Sequence, residues 1–302
     1  MAILKLIRYK NLLMVLLTMV LTKYALIKVF FDNSYLSVFQ FFILVCSVLS
    51  ITASGYIIND IFDINADKIN KPQKLFIEVL VTKKKAWIFY FLGILFGFIT
   101  GVYISLTTQL PYYSFYFIGT IGILFLYSKY LKKIALIGNL TIAVLCTLVI
   151  YLVVEFEGAY FIKNSSLVSL KIIFVAYYIF SFLTTLIREI IKDIEDINGD
   201  IKLNAHTLPI LIGRKRASKV AFFFAAVLLF GLLLILQLLH KEIIFVTYSV
   251  IFIVLPLVYF MYVLWKIESK REYSKLSKLL KIIMFFGIIS MILFNFIDLK
   301  NI

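Results

Sequence analysis

Long apolar runs separated by short polar segments dominate the chain, and the separators are mostly basic. A helix that crosses a bilayer needs about 20 consecutive, mostly apolar residues. Nine stretches approach that length: 11–31, 36–58, 86–108, 112–127, 134–154, 167–187, 217–239, 243–265 and 279–298. The fourth is short. Only 4 prolines fall in 302 residues, so long helices run uninterrupted. The longest polar segments are loops around 59–85 and 188–216, too short for a separate soluble domain. The pattern predicts an all-α polytopic membrane protein, a single transmembrane domain over 1–302 with nine helices.

Composition agrees. The chain is 63% hydrophobic and 16% charged, with a mean hydropathy of +1.03, whereas soluble chains are roughly 45–50% apolar and about 25% charged. The net charge of +15 sits in clusters between apolar runs. There it meets phospholipid headgroups, so no nucleic-acid partner is expected. Cys46 and Cys146 both lie inside apolar runs and form no metal-ligand or disulfide pattern. The basic start MAILKLIRYKN is followed by a run long enough to span and by no small-residue cleavage site, so it reads as a retained first helix. Most Lys and Arg residues fall in the alternate loops that an inside N-terminus makes cytoplasmic. Glu155 and Glu157 then fall in an outer loop.

Two inner loops open with related acidic runs. The first is NDIFDINADKINKP, with Asn59, Asp60, Asp63 and Asp67; the second is REIIKDIEDINGDIKLN, with Asp193, Asp196 and Asp200. Aligned on Asp60 and Asp193, DIFDINAD and DIEDINGD agree at six of eight positions, as a duplicated half would. Positions i, i+3 and i+7 lie within about 60° of one another on a helix. Three like charges on one face are costly at a membrane boundary unless cations neutralise them. Carboxylates in this number suit Mg²⁺, which keeps waters and takes substrate phosphates as its other ligands. The missing ligands imply a diphosphate. A helix-capping, solvated-loop role would account for one such cluster, but two with the same spacing, each ending a long apolar run, favour a site. Lys68, Lys71, Lys74, Arg188 and Lys192 flank the clusters as candidate phosphate donors. Glu189 falls on the carboxylate face, four residues before Asp193.

At these residues the chain resembles the UbiA superfamily of intramembrane prenyltransferases, which carries an NDxxDxxxD motif after its second helix and a second aspartate motif after its sixth. REIIKDIEDINGD followed by HTLPILIG is most similar to the branch that makes digeranylgeranylglyceryl phosphate, as is the GNL run of Gly138 to Leu140. The stretch INKPQKLFIEVLVTKKK departs from that pattern, with Lys71 and Lys74 where arginine is common. The resemblance implies Mg²⁺ held by Asn59, Asp60, Asp63, Asp67, Asp193, Asp196 and Asp200, and a polyprenyl diphosphate donor contacted by Asn59, Lys71, Lys132, Asn139, Arg188 and Lys192. It further implies a role for Tyr127 at the allylic cation or the diphosphate, a membrane-associated acceptor such as geranylgeranylglyceryl phosphate, and a site open to the cytoplasm at the inner or plasma membrane. An aromatic quinone precursor such as 4-hydroxybenzoate is the other acceptor class, and an ion-binding transporter built from repeats is the reading outside enzymes. His206 is expected to be a plain loop residue rather than an aid to proton transfer, and His240, on the outer side, is assigned no role.

Overall fold

The computed structural model describes residues 2–30, 35–70, 76–164, 168–202, 205–267 and 269–296. Among them the chain is helical almost throughout, and the only strand-like pairings are isolated bridges, Ile77 with Val81 and Ile134 with His206. The helices are α1 (Ala2–Leu6), α2 (Tyr9–Leu21), α3 (Lys28–Phe30), α4 (Val38–Asn70), α5 (Lys83–Thr107), α6 (Ser114–Lys129), α7 (Ile137–Asn164), α8 (Val168–Lys202), α9 (Leu208–Ile212), α10 (Arg214–Leu238), α11 (Ile243–Ser249), α12 (Leu255–Lys266) and α13 (Lys270–Ile289). A π-helical turn, Thr22–Ile27, joins α2 to α3, and another, Val250–Val254, joins α11 to α12.

Eight of these helical segments are long and apolar enough to cross a membrane: Tyr9–Phe30, Val38–Asn65, Lys83–Thr107, Ile137–Glu157, Lys171–Lys202, Arg214–Leu238, Ile243–Lys266 and Arg271–Phe296. The protein is therefore an integral, multi-pass membrane protein. The remaining expected span, 112–127, is helical as α6, but its 16 residues fall short of the roughly 20 that a span needs.

The chain divides into two compact units. The first comprises Met1–Leu17, Tyr35–Thr141 and Asn198–Thr207; the second comprises Thr18–Ser34, Ile142–Ile197 and Leu208–Ile302. In the first, Ser37 and Gln40 exchange backbone-to-side-chain hydrogen bonds of 2.9 and 3.2 Å ahead of α4, a reciprocal cap that starts the helix. The 33 residues of α4 extend about 50 Å, beyond a hydrocarbon layer about 30 Å thick. Its final turns, which carry the first aspartate motif, thus project past the apolar zone. The apolar half packs on α5 through small residues, with Ser47 and Ser50 donating to the Gly97 and Gly93 carbonyls at 2.6 and 2.8 Å. A Cβ on Gly97 would lie 2.7 Å from Ile51 Cγ1 and 3.2 Å from the Ser47 carbonyl, so only glycine permits this approach. Below it, Leu6 of α1 joins Ile57, Ile58, Ile61, Ile64, Ile77, Val81, Ala86 and Tyr90 in a buried cluster beneath the motif.

In the second unit, Lys23 and Glu157 form a buried ion pair, each under 5% exposed. Glu157 was expected in an outer loop; instead α7 runs on to Asn164 and takes both Glu155 and Glu157 into the helix. The pairing with Lys23 is what makes a buried carboxylate tolerable there. Tyr177 bonds Ser290 at 2.8 Å, and Ser218 bonds Tyr273 at 2.9 Å.

Candidate functional site

The last turns of α4 present Asn59, Asp60, Asp63 and Asp67 in register. Asn59 Nδ2 donates to Asp63 Oδ2 at 2.8 Å across one helical turn, orienting the carboxylate. The Lys132 ammonium donates to Asp63 Oδ1 and also reaches Asn59 Oδ1 at 3.4 Å. Lys132 belongs to a tight turn, Leu131–Lys133, between α6 and α7. Leu136 adopts a positive φ of 61° beside it, and a Cβ on Gly138 would lie 2.8 Å from Lys132 Cα and 3.0 Å from the Leu131 carbonyl. The glycine of the GNL run therefore lets the backbone fold tightly enough to aim Lys132 at the motif. Its neighbour Asn139 is buried, with 5% exposure, and Tyr127 near the end of α6 is half-buried.

Arg8 is a member of this cluster that sequence reasoning missed. Its Nη2 donates to Asp60 Oδ1 at 2.6 Å, and its guanidinium carbon lies 5.1 Å from the centre of the Tyr56 ring. The side chain gets there through a break between α1 and α2 where Arg8 has φ 52°, a sparsely populated conformation for a non-glycine residue. Burial opposes the charge on Arg8, but Asp60, Tyr56 and Asp67 together outweigh it and hold its pKa above the ordinary value. The charge of Arg8 is equally what cytoplasmic topology demands of a segment preceding the first span, so nothing in the sequence singled it out.

The second motif lies on the last turns of α8. Asp193 and Asp196 are half-buried in the second unit, whereas Asp200 belongs to the stretch Asn198–Thr207 that clusters with the first. The segment after Asp200 is fastened beside Lys132: the His206 amide donates to the Lys133 carbonyl at 2.8 Å, and His206 bridges Ile134. His206 itself is exposed, so its contribution is main-chain. The end of the second motif and the Lys132 turn that holds the first motif are thus one connected structure within the first unit. Upstream on α8, the buried Glu189 accepts from Arg188 Nη1 at 2.9 Å and from Lys192 Nζ at 2.8 Å. Two cations share one carboxylate. Lys71 lies outside the described residues, and His240 is exposed, bonded to the Gln237 carbonyl.

Among the described residues, no three acidic, imidazole or thiol groups form a ready-made ligand cluster. The donors still suit a hard divalent ion, because Mg²⁺ takes one or two carboxylates and completes its shell with waters and phosphates. A cation already sits between Asn59 Oδ1 and Asp63 Oδ1 in the form of the Lys132 ammonium, so this pair of oxygens is arranged to hold positive charge. The residues fit the ion.

Comparison with known proteins shows the family. The UbiA prenyltransferase family matches residues 12–289. The digeranylgeranylglyceryl phosphate synthase of Methanococcoides burtonii is 32% identical over 259 residues, 85% of this chain and 85% of that protein. A solved structure described as a digeranylgeranylglyceryl phosphate synthase in membranes superposes with a TM-score of 0.67 at 26% identity, covering 97% of both chains. A UbiA homologue from Archaeoglobus fulgidus bound to GPP and Mg²⁺ shares the fold alone, with a TM-score of 0.63 at 14% identity over 96% of this chain and 99% of that one. The family match runs from the first spanning helix to the last, and so this chain belongs to the UbiA prenyltransferase family and is a membrane-embedded prenyltransferase.

Proposed function

We propose that the protein transfers a geranylgeranyl group from its diphosphate to geranylgeranylglyceryl phosphate, a step in isoprenoid ether lipid synthesis, with Mg²⁺ as cofactor and the site facing the cytoplasm. The observation that carries this reading is the aspartate motif repeated at the ends of α4 and α8: in the first unit Arg8 and Lys132 hold carboxylates of the first motif, and in the second Arg188 and Lys192 share Glu189 just ahead of the second motif. The relative from Methanococcoides burtonii, named for digeranylgeranylglyceryl phosphate synthesis, supports the acceptor.

Asn59, Asp60, Asp63 and Asp67 with Asp193, Asp196 and Asp200 would hold Mg²⁺. When bound, the metal supplies Lewis-acid stabilisation of the departing diphosphate. Lys132 then exchanges Asp63 for a phosphate oxygen, a swap of one charge-assisted partner for another. Arg8 stays on Asp60 and limits the repulsion among the carboxylates. Arg188 and Lys192, held by Glu189, donate to the diphosphate oxygens. The bond between the allylic carbon and the diphosphate oxygen breaks with its electron pair leaving on the diphosphate. Tyr127 faces the resulting cation with its ring or orients the diphosphate with its hydroxyl. A lone pair of the acceptor hydroxyl forms the new carbon–oxygen bond, and the hydroxyl proton is released.

Purified protein incubated with Mg²⁺ and radiolabelled geranylgeranyl diphosphate tests the reading against a panel containing geranylgeranylglyceryl phosphate and 4-hydroxybenzoate. The expected product is a labelled diether phosphate, with one diphosphate released per transfer. Label in the aromatic acid, or none in the glyceryl phosphate, overturns it.

A further inference from the structure

Arg8 meets the first motif on a long side chain that keeps 37% exposure, against 8% for Asp60. Its main chain is fixed on both sides of the positive φ: the Arg8 amide donates to the Lys5 carbonyl at 3.1 Å, and the Arg8 carbonyl accepts from the Asn11 amide at 2.7 Å. Leu6, fully buried in one cluster with Ile57, Ile58 and Ile61, pins the segment to α4. The backbone thus sets the direction of the side chain. The flexible stem could still carry the guanidinium away from Asp60 into water.

Asp60 by itself would hold that guanidinium poorly once the site is loaded. Asp60 is an acid of the motif proposed to bind Mg²⁺, and a divalent ion on the same carboxylate repels the guanidinium and weakens the oxygen as an acceptor. A second partner is in place. Tyr56 lies four residues before Asp60, on the same face of α4 and one turn away. The Arg8 guanidinium carbon is 5.1 Å from the centre of its ring, inside the roughly 6 Å range of a cation–π contact. The ring is half-buried, which strengthens the attraction by limiting the water that competes for the cation. An aromatic face is no ligand for Mg²⁺, which takes oxygen, so this contact does not compete with the metal.

We propose that Tyr56 is a positioning residue for Arg8: its ring keeps the guanidinium beside Asp60 while the first motif holds the metal. The inference rests on the reading that this motif binds the metal. Its consequence is a fixed positive charge next to the ion, so that Tyr56, acting through Arg8, sets how tightly the ion is held.

Titration of the purified protein with Mn²⁺, followed by the electron paramagnetic resonance of the free ion, tests this without turnover. Arg8→Met should tighten Mn²⁺ binding by about an order of magnitude, because one neighbouring unit charge changes a divalent ion's affinity by about that factor even under water-like screening. Tyr56→Leu should tighten it about two- to fivefold, the value of a cation–π contact at a partly exposed site. Tyr56→Phe keeps the ring and should bind as wild type. Phenylalanines carrying one, two and three ring fluorines at position 56 keep the shape but progressively drain the negative face of the ring, so Mn²⁺ affinity should climb step by step along the series. In an Arg8→Met background, Tyr56→Leu should add nothing. Unchanged affinity in a monodisperse Tyr56→Leu protein overturns the proposal, as does a flat fluorination series or an equal effect of Tyr56→Leu with Arg8 absent. A wild type that binds no Mn²⁺ overturns the metal reading beneath it as well, whereas Mn²⁺ binding indifferent to position 56 overturns the role of Tyr56 alone.

Discussion

Replacing Lys132 with Met removes the cation that lies on Asp63 and Asn59 while keeping most of the apolar stem. If those oxygens belong to the metal site, the ammonium and the metal compete for them, and the substitution moves two affinities in opposite directions. A hydrogen bond to a charged group contributes about 1.5–3 kcal/mol. Lys132 and Asp63 retain 14% and 21% side-chain exposure, so water screens part of this, and about 1–2 kcal/mol is a fair value for displacing the ammonium. Lys132→Met should therefore bind a divalent ion about 5- to 30-fold more tightly. Affinity for the diphosphate should fall by a similar factor, because the phosphate loses a charged donor. Titration with Mn²⁺, followed by the electron paramagnetic resonance of the free ion, reads the first change without any turnover, and competition with a labelled donor reads the second. Metal affinity that stays the same or weakens would refute the reasoning, since Lys132 would then not occupy metal-binding oxygens.

Asp60→Ala and Asp193→Ala should each abolish prenyl transfer while the protein still inserts and elutes as wild type; full activity of either with Mg²⁺ present would remove that residue from the site. Gly138→Ala brings a methyl group to within 2.8 Å of Lys132 Cα, so it should cost about 1–3 kcal/mol in thermal unfolding and depress transfer along with it, whereas the same change at the open Gly122 should cost little. Glu157→Leu strands the buried Lys23 and should destabilise the protein by about 3–5 kcal/mol, while the double variant Lys23→Met/Glu157→Leu recovers most of the loss because two apolar side chains replace the pair; a double variant as unstable as the single one would disprove this account of the pair.

Membrane insertion, the helical class and the two aspartate runs were legible along the chain because each depends on neighbours in sequence. Hydropathy over about 20 residues marks a span, and spacing of three, four and seven residues marks a helical face. The same local reading counted 112–127 as a span; the helix there, α6, has 16 residues, because an apolar run does not show where the backbone will turn. It also placed Glu157 in a loop, because a carboxylate near the end of an apolar run looks like the boundary of a span. Lys23, 134 positions away, is what keeps it inside the helix.

The sequence by itself determined that this chain lives in a bilayer, that two of its long helices end in matched carboxylate triads and that its relatives transfer prenyl groups. Tertiary structure alone decided which cation meets which carboxylate: Arg8 reaches Asp60 across 52 positions and Lys132 reaches Asp63 across 69. Most of the thirty-one basic residues are explicable locally as topology signals, and only the folded backbone, bent at Arg8 and tightened at Gly138, selects the two that serve the first motif. The apolar pocket between α8, α10 and α11 is likewise invisible in one dimension, because an apolar residue facing a void and one facing a neighbouring helix satisfy the same hydrophobic preference.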